Sequence, residues 1–205
     1  MTKHYFTIQN SSTGLYKEKG SKFLGFAEPV TSEDEIKEKL DGLKAKYHDA
    51  RHHCYAYVLG ADRKVYRAND DGEPNHSAGD PILGQLHSKQ LTNVLVVVVR
   101  YFGGIKLGVG GLIHAYKTAA EFALANAGVV KKEVTVEINL RYPYEFTNEV
   151  MKLIHDFDMT MTGQDFLEIC ITRAKVGVHH IDAVTNKVQL LADTGKKIEF
   201  TKITV

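Results

Sequence analysis

Val94 to Val99 is an unbroken apolar run in which five of six residues are valine. A β-branched run with no polar residue at alternate positions reads as a strand buried on both faces. Directly after it comes Arg100-Tyr101-Phe102-Gly103-Gly104-Ile105-Lys106-Leu107-Gly108-Val109-Gly110-Gly111, with five glycines in the nine positions from Gly103. A helix is expected from Leu112 to Ala127, closed by Gly128. The unit is therefore strand, glycine-rich loop, helix.

The chain has 205 residues, room for one large domain or two small ones. Its hydrophobic fraction of 43% suffices for a core. A folded chain of this size buries roughly 70% of its unfolded surface, which excludes a disordered protein. With 26 Lys+Arg against 25 Asp+Glu, bulk charge does not announce a nucleic-acid binder. Cys54 and Cys170 lie far apart, so neither a disulfide scaffold nor a cysteine zinc module is expected. The segment Met1 to Ile8 has no long apolar core and no small-residue cleavage site. The Val94–Val99 run falls far short of the roughly 20 residues that cross a bilayer. We expect a cytoplasmic location and no membrane partner.

Composition shifts after Val130. The first part holds 14 of the 17 glycines and 7 of the 10 histidines. In the second part, Val134, Val136, Ile138, Leu140 and Tyr142 alternate with polar residues, the period of a half-buried strand. Phe146, Val150, Leu153, Ile154 and Phe157 share one helical face. Two strands follow, 159–164 and 166–175, around a turn expected near Gly163. A helix through Val178, Ile181, Val184, Val188 and Leu191 ends near Gly195, and Ile198, Phe200 and Ile203 mark a last strand. The order β-α-β-β-α-β is that of a ferredoxin-like unit. We expect an α+β protein with domains at 1–130 and 131–205.

In the first part, 5–8, 22–29, 53–59 and 65–68 read as strands. Ser32 and Glu35 have capping-box spacing before the helical series Ile36, Leu40, Leu43, Tyr47. Asp70 to Pro81 reads as a long polar loop, and a short helix precedes Thr92.

Glycines lose more backbone entropy on folding than other residues, so five together imply a close backbone approach or positive φ. The loop ends at a helix N-terminus, where free N–H groups and the helix dipole favour an anion. Arg100 and Lys106 flank it, and Lys22 and Arg67 are expected to help. Phosphate is the natural ligand. The competing reading is that the glycines only permit tight helix-on-sheet packing and that Arg100 pairs with Asp70, Asp71 or Glu73. Walker A fails because Val109 and Gly110 follow Gly108, and the dinucleotide fingerprint fails at Ile113.

An EF-hand register over Gly72 places Arg67 first and Ala78 last, which excludes it. A magnesium ion bridged by phosphate to Asp70, Asp71 or Glu73 stays open beside the reading of a solvated turn. His52-His53-Cys54 with His76 matches no standard zinc spacing. Cys54 lies in a strand pattern where cysteine packs as a small hydrophobe. Tyr101 and Phe102 sit where they can stack on a base or join the core. The site residues expected are Lys22, Arg67, Arg100, Tyr101, Phe102, Gly103, Gly104, Lys106, Gly108, Gly110 and Gly111. A polar wall is expected from His53, Asp70, Asp71, Glu73, His76 and His114, with no metal and no cofactor assigned.

Several blocks together resemble the IMPACT family over nearly the whole chain. They are Lys19 to Leu24, His53 to Tyr57, Asp70 to Pro74 with Ala78-Gly79 and Pro81 to Leu83, and Val98 to Gly108 with Gly110-Gly111-Leu112. The resemblance implies an N-terminal domain of the ribosomal-protein-S5 domain-2-like fold and a C-terminal ferredoxin-like domain. It also implies an association with translation. Eukaryotic members regulate a kinase pathway that responds to amino-acid starvation, a role that does not transfer here. Fold relatives contact RNA, which makes RNA or the ribosome the expected partner. Two departures, His114 and Asp80, stand where members often carry basic or neutral residues, and both lower the local positive charge.

Three functions are in view. The first is a non-enzymatic translation regulator binding RNA or the ribosome. The second is an enzyme for a small phosphorylated or nucleotide ligand, with Asp71, Glu73 or His76 in acid–base roles. The third is a protein-interaction module whose C-terminal sheet meets a translation factor.

Overall fold

The structure, a computed structural model, describes residues 2–203. Helices and strands are mixed throughout, and the chain divides into two compact units, Thr2–Lys132 and one beginning at Glu133.

The first unit holds strands β1 (His4–Ile8), β2 (Ser12–Glu18), β3 (Ser21–Pro29), β4 (His52–Leu59), β5 (Val65–Asn69) and β6 (Val94–Tyr101). Its helices are α1 (Glu33–Lys46), α2 (Gly79–Ser88) and α3 (Gly108–Asn126), and β7 (Val129–Glu133) pairs with β1. The remaining five strands form one antiparallel sheet in the order β2-β3-β6-β4-β5. β6 is the central strand. Val94, Val96 and Val98 enter a core with Ile82 and Leu86 of α2 and Ala119 and Ala123 of α3. Leu95, Val97 and Val99 enter a second core with Ile36 and Leu40 of α1. Each fully buried valine contributes about 1.5–3 kcal/mol, so the two-sided burial read from the run anchors both layers.

Ser32 caps α1, its hydroxyl accepting the Glu35 N–H, while the Glu35 carboxylate accepts from the Thr31 N–H at 2.6 Å. β2 was not expected. Its Gly14 pairs across the strands with Gly25 of β3, and a Cβ at either would collide with the α3 backbone at Ala123 or Ala119. The two bare positions let α3 lie directly on the sheet.

The second unit carries β8 (Thr135–Pro143), α4 (Thr147–Asp156), β9 (Thr160–Asp165), β10 (Ile169–Gly177), α5 (Ile181–Asp193) and β11 (Glu199–Lys202). Its antiparallel sheet runs β11-β8-β10-β9. Ile138, Leu140 and Tyr142 meet Val150, Leu153 and Val184 in its core. The expected turn at Gly163 is instead mid-strand. β9 continues through it with a register shift opposite Arg173 and Ala174, and the chain reverses after Asp165.

Candidate anion-binding site

α3 starts at Gly108, a turn earlier than the sequence pattern indicated, so Gly108, Gly110 and Gly111 belong to the helix and not to a loop. The glycines divide by role. Gly103 lies against the backbone of Gly20 and Ser21 with no room for a side chain, and its N–H donates to Ser21 Oγ at 3.1 Å. Gly104 and Gly108 take φ of +88° and +72° in open space, a conformation in which glycine is unstrained. Gly110 is helical, has no positive φ, and nothing stands within 4 Å of where its Cβ would be. Packing explains Gly103. It does not explain Gly110, where glycine costs about 1 kcal/mol against alanine.

No side chain caps the start of α3, so its first N–H groups have no partner within the helix. Of this start, Gly108 and Val109 line a cleft of ≈ 470 Å³ formed with the end of β6 and the loop before α2, and Gly110 does not. Phe102, Val109 and Leu112 form apolar walls, Arg51 and Lys106 are exposed at its edge, and His52, Glu73 and Arg100 form its polar floor.

The floor is tightly wired. Arg100 is 7% exposed. Its guanidinium lies 5.4 Å from the Phe23 ring centre and 5.6 Å from that of Phe102. Arg100 Nη1 donates to Glu73 Oε1 at 2.5 Å, and Tyr116 Oη donates to the same oxygen at 2.8 Å. Arg100 Nε is buried with no partner. Burial drives the Tyr116 phenol far above its ordinary pKa, with Cys54 and Glu73 adding to the effect, so Tyr116 is a fixed donor. His52 Nδ1 lies 2.8 Å from the Asp71 carbonyl oxygen. A carbonyl can only accept, so Nδ1 carries a proton, and Nε2 lies 4.0 Å from Glu73 Oε1.

Sheet alternation separates the other expected residues. Arg100 pairs with Phe23 and His52, whose side chains face α2 and α3. Lys22 pairs with Tyr101, and Arg67 with Tyr57, on the α1 side. Lys22 and Arg67 therefore do not join Arg100 and Lys106. Tyr101 donates to Asp49 at 2.7 Å on that side. His53 also faces away from the cleft, where burial lowers its pKa against the opposing charge of Asp71. Asp70 organises its loop. Its carboxylate accepts from the N–H groups of Ala78, Gly79 and His76 at 2.9, 2.8 and 2.9 Å. Burial raises its pKa, but those three donors outweigh burial and hold it below the usual range. Asp71 accepts from the His53 N–H at 2.6 Å. His76 is exposed and bonds Asp80 at 2.6 Å. His114, exposed on α3, meets the Tyr16 ring edge-on with centres 5.7 Å apart. Cys54 is buried, and burial pushes its thiol pKa well up. Among the described residues no three His, Cys, Asp or Glu side chains are placed to hold a metal ion.

Sequence reasoning omitted Arg51 and His52 from the site. A signal for His52 existed: it shares strand parity with the small residues Cys54 and Ala56, which marks the face a helix covers, and a shift of one residue to His53 reverses the face.

The fold and cleft define a two-unit α+β protein with an open, cation-edged pocket at a helix start. The family model described as Impact N-terminal domain matches residues 19–124, which include every residue of the cleft. The chain is 39% identical over 134 residues to the IMPACT family member YvyE of Bacillus subtilis, 65% of this chain and 62% of that relative. It is 33% identical over 165 residues to the IMPACT family member YigZ of Escherichia coli, 77% of this chain and 81% of that relative. A solved structure described as that of a hypothetical protein matches with a TM-score of 0.75 at 27% identity, covering 100% of this chain and 99% of the other. The chain belongs to the IMPACT family.

Proposed function

We propose that this protein is a translation-associated regulator that binds RNA, free or in the ribosome, by seating a phosphate at the start of α3. Family membership supports the association with translation. The strand order β11-β8-β10-β9 supports a ferredoxin-like second unit, and the first unit is read as S5 domain-2-like. The uncapped start of α3 carries the phosphate reading. Gly108 and Val109 of its first turn line the cleft, no side chain caps the helix, and Arg51 and Lys106 edge the same cleft. A bare surface there admits an oxyanion from outside the protein.

The test is Lys106→Glu. Lys106 is exposed at the cleft edge, and a carboxylate just before a helix favours the fold. The reversed charge repels the phosphate. Binding of a fluorescent single-stranded RNA should fall at least about tenfold, the effect of losing one charge-assisted contact, with the melting temperature unchanged or raised. Unchanged affinity contradicts the proposal.

A further inference from the structure

We infer that the cleft takes one nucleotide at a time: a phosphate on the first turn of α3 and an unstacked base against Phe102. The inference rests on the RNA reading above and goes further, since it sets the unit of recognition. The shared chemistry is a nucleoside monophosphate, whether free or as one splayed nucleotide of a strand.

Size comes first. A volume of ≈ 470 Å³ falls in the range of small-ligand sites and holds no duplex. The second observation is Phe102. The residue is 53% exposed although it is large and apolar, while the Arg100 guanidinium sits 5.6 Å from its ring centre. Arg100 thus backs Phe102, and about half of the residue is open to solvent. An aromatic ring presented in this way is a stacking platform that accepts any base. Third, Arg100 is more than nine-tenths buried, its Nε has no partner, and it borders the same cleft as the α3 start. Its charge is met by Glu73, so it steadies the platform, and the phosphate is left to the helix N–H groups and Lys106. Val109, 53% exposed on the first turn of α3, adds an apolar surface for the ribose or base edge.

The floor also offers hydrogen-bonding groups at one end. With Nδ1 committed to the Asp71 carbonyl, His52 turns Nε2 toward Glu73, whose carboxylate is an acceptor at that end. A base amino group is the complementary donor. Duplex nucleic acid cannot deliver a base to this depth, because its bases stay stacked and paired.

The experiment measures competition by AMP, and by ribose 5-phosphate, against a fluorescent single-stranded RNA on the full chain. Wild type, Lys106→Glu and Phe102→Ala are compared. AMP should displace the RNA, Lys106→Glu should weaken both at least about tenfold, and Phe102→Ala should weaken AMP about tenfold while leaving ribose 5-phosphate unchanged. Phe102 is exposed, and equal melting temperatures show that the variant folds. If RNA binds and is weakened in Lys106→Glu, yet millimolar AMP never displaces it, the single-nucleotide inference is overturned and the RNA reading stands. If AMP binds directly and RNA does not, the cleft serves free nucleotides and the RNA reading falls. If Phe102→Ala weakens AMP and ribose 5-phosphate equally, the stacking assignment is overturned.

Discussion

Glu73 Oε1 lies 2.5 Å from Arg100 Nη1, and their side chains are 4% and 8% exposed. The pair fastens the loop before α2 to the end of β6, and it removes Arg100 from the charge available to a ligand. Under the proposed function, anion attraction at the cleft therefore falls to Arg51, Lys106 and the α3 start. This combines the two readings of the sequence: Arg100 is paired by a carboxylate, and the glycine-rich segment still opens to solvent.

Removing one partner of a buried ion pair leaves the other charge stranded, at a cost of roughly 3–5 kcal/mol. Glu73→Gln should lose about that much stability in urea denaturation. The double replacement Glu73→Leu with Arg100→Met should recover most of it, because a well-packed apolar pair is often as stable as the ionic one. A loss below about 1 kcal/mol for Glu73→Gln would mean that the pair is solvated.

Two glycines in the same segment should respond in opposite directions. Gly110→Ala gains about 1 kcal/mol of helix stability, since no neighbour and no positive φ oppose it. Gly103→Ala drives a methyl into the backbone of Gly20 and Ser21, and its melting temperature should fall sharply. Thermal unfolding of both variants checks the contrast.

Stability should fall with acid in two steps. Burial lowers the pKa of His53 from its ordinary 6.5, so the unfolded chain binds the extra proton first, and stability declines as pH drops below about 6.5. Asp70 is held below the usual carboxylate value of 3.8, so its contribution is full above that pH and is lost as pH falls further. Urea midpoints at pH 7 and pH 5 should diverge in wild type and converge in His53→Leu, whose side chain buries no unpartnered Nε2. Equal midpoints in wild type would contradict the first step.

Cys54 and Cys170 are both 0% exposed, and burial raises the Cys54 pKa. The native protein should leave both thiols unlabelled by a disulfide reagent over hours, with two equivalents released on unfolding. Rapid native labelling of Cys54 would show that its strand opens.

Much of the fold was legible because apolar periodicity and burial agree. β6 read as doubly buried, and α1, β8, α4 and α5 each showed one apolar face. β2 escaped because its inward positions include Gly14, set against α3, while Leu15 points out and is 46% exposed. The start of α2 at Gly79 escaped because Asp80 and Pro81 look like loop residues. Proline is tolerated in a first turn, and the cap comes from Asp70, nine residues upstream of Gly79. For the site, residue types were legible and faces were not. Lys22, Arg67 and Arg100 look equivalent in sequence, and only the register against β6 and β4 tells which side of the sheet each one serves.

The salt dependence of RNA binding tests the central claim most directly. Each phosphate contact to a single strand contributes about −0.7 to the slope of log K against log salt, so contacts by Arg51 and Lys106 give about −1.4. Lys106→Ala should bring the slope to about −0.7, and Lys22→Ala or Arg67→Ala should leave it unchanged. A slope that ignores Lys106 and flattens on loss of Lys22 or Arg67 would place the nucleic acid on the opposite face of the sheet and contradict the account.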